Sequence, residues 1–169
     1  KHIESIRLIN QAYKTIKNSE KNLNKYNFVD SYTLLRASLE YIVMSYMIEV
    51  EEKTYNEFLI LSNNDIQLKR KFTVPNTLLK KFGKRLNKIS NNLFTDTTVK
   101  QREKIMVDLY DILCKYTHAS IVVSTFNEIE DKNERKVVKL ILSYNLYLIK
   151  LILLDCLKFF NNDDKEYID

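Results

Sequence analysis

One glycine and one proline in 169 residues limit the fold of this chain more than any other feature of its sequence. Sandwiches, barrels and α/β folds turn often. Tight turns draw on Gly for left-handed backbone and on Pro for a fixed φ. Long helices joined by Asn- and Asp-rich connections need few of either. The sequence therefore predicts an all-α fold, a single bundle of about five to seven helices over 1–169. Apolar residues make up 45% and charged residues 29%, the balance of a globular chain and not of a disordered one. A chain of this length buries roughly two thirds of its unfolded surface, so it needs no disulfide or metal for stability.

Apolar residues recur at helical steps along most of the chain. Ile3, Ile6, Ile9 or Leu8, Tyr13 and Ile16 predict a helix over 2–24, and Asn24, Asn27 and Asp30 mark its end. Asp30 or Ser31 is expected to cap a helix over 29–50 that is apolar nearly all round and hence central. Shorter helices are expected over 54–62 and 77–91, the second capped by Asn76 or Thr77 and bent at Gly83. Val99, Ile105, Leu109, Ile112, Leu113 and Tyr116 predict a helix over 98–117, followed by a brief helix over 120–128. Val137, Leu140, Ile141, Tyr144, Leu148, Leu151 and Leu154 predict a core stripe on a last helix over 132–161. No internal repeat, heptad series or low-complexity tract is apparent.

Cys114 and Cys156 fall inside apolar helical patterns and are expected as free thiols in a reducing cytoplasm, with a disulfide left open as the alternative. The N-terminus has no signal-peptide pattern. The longest apolar run, 146–157, is interrupted by Lys150 and Asp155 and reads as too short and too charged to span a membrane. The chain begins at Lys1 and not Met, which predicts a segment trimmed or cut from a longer protein.

The net charge of +5 is unevenly placed. Residues 69–104 carry eleven basic and two acidic side chains, a balance of +9 against −4 for the remainder. Lys80, Lys81, Lys84, Arg85 and Lys88 lie at helical spacing and form a ridge. Such a ridge is either an ordinary solvated face, a surface for nucleic-acid phosphate or a surface for an acidic protein. Phe72, Phe82 and Phe94, the only phenylalanines in that segment, read as core residues and not as base-stacking platforms.

Few residues suit chemistry. His118, at a predicted helix end, can move protons near neutral pH or donate to a phosphate; its structural reading is a hydrogen-bond partner or helix cap. Arg36 and Glu40 stand four apart on one face of an otherwise apolar helix, as an internal ion pair or as the lining of a site. There is no CxxC, HExxH, phosphate-cradling glycine loop or Gly-x-Ser-x-Gly, and the two histidines and two cysteines are scattered. Neither a metal nor a cofactor is expected.

Arg36 and Glu40 on an early apolar helix, followed by Tyr110, Leu113 and His118-Ala119-Ser120 at the end of a later one, resemble HEPN domains. These are the helical bundles of the higher eukaryote and prokaryote nucleotide-binding superfamily, common in bacterial phage-defence and toxin–antitoxin systems. The resemblance covers most of the chain in helix order. It implies metal-independent endoribonuclease chemistry with His118 as acid or base, RNA as substrate and a homodimer. The family's motif places four to six residues between an arginine and the histidine, and this chain has Asp111, Ile112 and Leu113 where that arginine would fall. The cation would then come from Arg36 or from Lys115. The alternative is a catalytically inactive helical module that dimerises or binds a protein partner, such as an antitoxin or a defence component.

Overall fold

The computed structural model describes residues 1–62, 74–89, 94, 96–117 and 129–161, apart from the side chains of 61–62 and 87–89. These residues form an all-helical bundle with six helices: α1 His2–Asn24, α2 Phe28–Val50, α3 Glu52–Ser62, α4 Asn76–Ile89, α5 Val99–Lys115 and α6 Lys132–Asn161. The brief helix expected over 120–128 falls outside the described residues. Helix α2 packs against all five others, in keeping with a sequence that is apolar nearly all round. Its Leu35, Leu39, Ile42, Val43 and Met47 are completely buried.

Helices α1 and α2 form the most extensive pairing, an antiparallel hairpin. Small residues make it close. On α1, Ser5, Ala12 and Ser19 repeat every seven residues and are completely buried, and Ile9, Ile16 and Leu23 follow them four residues on. On α2, Ser31, Ser38 and Ser45 repeat at the same interval and are also buried. Ser19 and Ser31 donate to each other's carbonyl oxygens at 2.9 Å, and their hydroxyls lie 2.8 Å apart. Counting from that pair, the antiparallel register sets Ala12 level with Ser38 and Ser5 level with Ser45. This is a heptad seam that hydropathy periodicity does not reveal, because its repeating residues are small and mostly hydroxylic. It also corrects the expected α1 stripe. Ile9 and Ile16 are in the core, but Ile3, Ile6 and Tyr13 face solvent.

The turn between them shows how the chain does without glycine. Tyr26 takes the left-handed conformation, with φ 62°. The Tyr26 amide donates to the Leu23 carbonyl and the Asn27 amide to the Asn22 carbonyl. That is the bonding pattern of a Schellman helix end, with tyrosine where glycine is usual. Neither Asp30 nor Ser31 caps α2. The helix starts at Phe28 after Asn27, and Ser31 serves the hairpin seam instead. Thr98 caps α5 through a reciprocal pair of hydrogen bonds with Gln101.

Helix α4 runs through Gly83 uninterrupted. The glycine serves a close crossing. A Cβ there would lie 2.9 Å from both the Arg102 carbonyl oxygen and the Glu103 Cα of α5. On α5 the buried residues include Met106, Leu109, Tyr110 and Leu113, while Val99 and Ile112 are exposed, contrary to expectation.

The largest correction concerns α6. Its buried face is Leu142, Leu146, Ile149, Ile152, Leu153 and Cys156. The stripe expected in the core points the other way: Val137, Leu140, Ile141, Tyr144 and Leu154 are exposed, with Leu148 and Leu151 half-buried. The helix is apolar on two faces, and periodicity alone cannot say which one meets the bundle. At 30 residues it is also long and apolar enough to cross a membrane by length and composition, although the 146–157 run alone reads as too short.

Candidate functional site

Helices α2 and α5 lie side by side, and the end of α5 brings three side chains to Arg36. Tyr110, Cys114 and Thr117 follow one another at steps of four and three, so they share a face of the helix and its last turn. Arg36 Nε donates to Glu40 Oε1 at 3.2 Å, and Arg36 Nη1 donates to Thr117 Oγ1 at 3.3 Å. Thr117 Oγ1 donates in turn to the Cys114 carbonyl oxygen at 3.1 Å. Tyr110 Oη donates to Glu40 Oε1 at 2.6 Å. The guanidinium carbon lies 5.6 Å from the centroid of the Tyr110 ring, a cation–π distance. Beside this group, Tyr32 stacks on Tyr116 with ring centroids 4.4 Å apart.

The electrostatics separate the roles. The Glu40 side chain is 9% exposed and that of Arg36 17%. Burial pushes the Glu40 carboxyl above the usual carboxylate range, against the pull of Tyr110 and Arg36. Burial alone would lower the Arg36 guanidinium, but Glu40 and Tyr110 more than offset it and its charge is held firmly. Burial, followed by the Glu40 hydrogen bond, raises the Tyr110 hydroxyl. Burial also raises the Cys114 thiol despite the nearby Arg36, so Cys114 lacks the low pKa of a nucleophile. Glu40 Oε1 already accepts from two donors. It acts as an orienting carboxylate that aims a planar, permanently charged fork toward the end of α5.

The sequence-predicted residues are therefore only partly united. Arg36 and Glu40 meet. Tyr110 belongs with them, although the sequence suggested it only as part of a motif. Cys114 and Thr117 were missed; their spacing from Tyr110 was the available signal. Lys115 is exposed in the same last turn of α5. His118 lies outside the described residues; Thr117 precedes it in sequence.

The basic ridge stands elsewhere. Lys81 pairs with Glu51 at 2.8 Å and Lys84 with Glu103 at 3.4 Å, while Lys80 is exposed. Arg85 is half-buried and hydrogen-bonds the hydroxyl of Tyr46, which burial pushes up to about 12. Burial works against the Glu51 carboxylate, but hydrogen bonds from Lys81 and Thr54 hold it below the usual range. The Lys88 side chain is outside the described residues. Glu51 follows Arg36 by fifteen residues, about 22 Å of helix, so the ridge meets the C-terminal end of α2 while the arginine cluster sits at its middle. Phe82 and Phe94 are buried, as expected of core residues, and Phe72 is outside the described residues. Cys114 and Cys156 are free thiols. Among the described residues no three His, Cys, Asp or Glu side chains gather as metal ligands. Comparison with protein-family models, curated proteins and solved structures finds no match to this chain.

Proposed function

We propose that this chain is a HEPN-like helical domain of a bacterial phage-defence or toxin–antitoxin system, acting on cytoplasmic RNA at the end of α5. The observation that carries the reading is the aim of Arg36. Its guanidinium is held by Glu40 and Tyr110 and reaches Thr117, the residue before His118. A planar cation fixed at that point suits a phosphate.

In this reading a ribose 2′-hydroxyl attacks the neighbouring phosphorus, its oxygen–phosphorus bond forms and the 5′-oxygen bond breaks. The proton leaving the 2′-hydroxyl and the one gained by the 5′-oxygen pass through His118 acting as base or acid. Arg36, assisted by Lys115, stabilises the charge that builds on the phosphate oxygens. Incubating total RNA with the protein, with and without EDTA, tests it. Cleavage is expected to persist in EDTA and to fall by roughly a hundredfold or more in His118→Ala. Full cleavage by a clean preparation of His118→Ala would end the nuclease reading.

One observation favours the inactive module instead. Glu40 is nearly enclosed and ties α2 to α5 through Tyr110, which is also what a structural ion pair does. In that case RNA is left intact by the wild type, and Arg36→Ala alters only stability.

A further inference from the structure

We propose that the exposed seam of α6 is the contact surface for a second copy of this chain, with the two α6 helices packed antiparallel. The seam is a heptad. Val137, Tyr144 and Leu151 repeat every seven residues, and Leu140, Tyr147 and Leu154 repeat between them. This alternation of three and four is the spacing by which one helix meets another. Yet the bundle uses the opposite face of α6, and the seam stays outside apart from the half-buried Leu151: Leu140 is 71% exposed, Tyr144 62% and Tyr147 58%.

The size of the patch fits a partner. Its six side chains present on the order of 500 Å² of apolar surface, as large as the biggest patches that monomers leave open. Flanked by Ile141 and Leu148, it approaches the roughly 800 Å² per partner of a standard interface. Orientation follows from charge. Lys132 and Lys136 are exposed near the N-terminus of α6, where the helix dipole disfavours cations. Antiparallel packing brings them beside the C-terminal end of the partner's helix, where the dipole is negative and Asp155 pairs with Lys158. It also sets Val137 opposite the partner's Leu154, Leu140 opposite the partner's Leu151 and Tyr144 opposite the partner's Tyr147.

A lipid bilayer is the competing occupant, since α6 has the length and composition for it. The buried face argues against it. Asn145 and Asp155 lie there, both buried, and Asp155 Oδ2 has no hydrogen-bond partner among the described residues. Lipid would leave such groups in a worse solvent than a helical bundle does.

The seam is independent of the RNA reading, and sedimentation equilibrium of the purified chain tests it. The wild type is expected to be a dimer that dissociates on dilution, with a dissociation constant on the order of 10 μM. Val137→Glu or Leu154→Lys alone should weaken the dimer at least tenfold with unchanged circular dichroism, because both positions are exposed in the single chain. Combined, they should restore much of the affinity. The introduced carboxylate of one copy would then face the introduced ammonium of the other across the antiparallel pair, and the two positions lie too far apart to meet within one helix. A monomer at every concentration would overturn the proposal, as would a dimer indifferent to the single substitutions. So would a wild type that stays monomeric and floats with phosphatidylcholine vesicles.

Discussion

Gly83→Ala is expected to lose about 1–3 kcal/mol of stability, and Gly83→Val more than about 3 kcal/mol. The sign is the informative part. On a solvent-facing helix, exchanging glycine for alanine gains about 1 kcal/mol from propensity. Here the added methyl would meet backbone, the Arg102 carbonyl oxygen and the Glu103 Cα, each 2.9 Å away. Backbone cannot swing aside as a side chain can, so α4 and α5 must separate. Phe82 and Leu86, both completely buried beside the crossing, would lose part of their packing. For a chain of this size each kcal/mol shifts the melting temperature by roughly 2–4 °C, so Gly83→Val should melt about 10 °C or more below the wild type. A melting temperature that rises in Gly83→Ala would mean that the two helices do not cross so closely.

Glu40→Ala should be the most damaging change in the arginine cluster, at about 3–5 kcal/mol. It strands the Tyr110 hydroxyl and takes from Arg36 the carboxylate that compensates its charge. Glu40→Gln keeps an acceptor for both and should cost clearly less. The two forms of residue 40 also differ with pH, and the sign follows from burial. The folded protein holds the Glu40 proton more tightly than the unfolded chain, whose carboxyl has the ordinary value of 4.5. The neutral acid is therefore the form that the fold prefers. Its contribution is complete below the ordinary carboxylate range and is lost as pH rises through the raised folded value. Wild type should thus gain on Glu40→Gln in acid and fall back toward neutrality. Urea unfolding of both proteins at about pH 4 and about pH 8 reads that difference directly. An advantage of wild type that grows with pH would show that Arg36 and Tyr110 outweigh burial at Glu40.

How much could be read before any coordinates depends on the kind of signal. Scarcity of Gly and Pro dictates helices, and the near-continuous apolar character of α2 dictates its central place. Arg36 and Glu40 stand out because charge on such a helix is conspicuous, and their four-residue spacing already implies contact. Other features stayed hidden for definite reasons. Ser5, Ser19, Ser31 and Ser38 look like surface residues in a hydropathy pattern, yet they are buried in the most extensive pairing of the bundle. Helix α6 carries two apolar faces, and the more regular one is not the face it buries. Thr117 and Cys114 depend on where α5 ends relative to α2, which no local pattern encodes. Tyr26 in a left-handed turn escapes a search for glycine altogether.

The α1–α2 hairpin also bears on the order in which contacts become accessible to an unfolded chain. Ser19 and Ser31 are separated by only 12 positions, whereas Glu40 and Tyr110 are separated by 70. The entropy of closing a loop grows with the logarithm of its length, and this difference alone makes the second contact about 1.5 kcal/mol harder to close. The serine seam extends inward from its turn one heptad at a time, each step starting from ends already held together. The arginine cluster has no such ladder: it forms only when a helix far along the chain has found its place. The part of the molecule proposed to meet RNA is thus entropically the harder one to assemble, resting on a hairpin that closes readily.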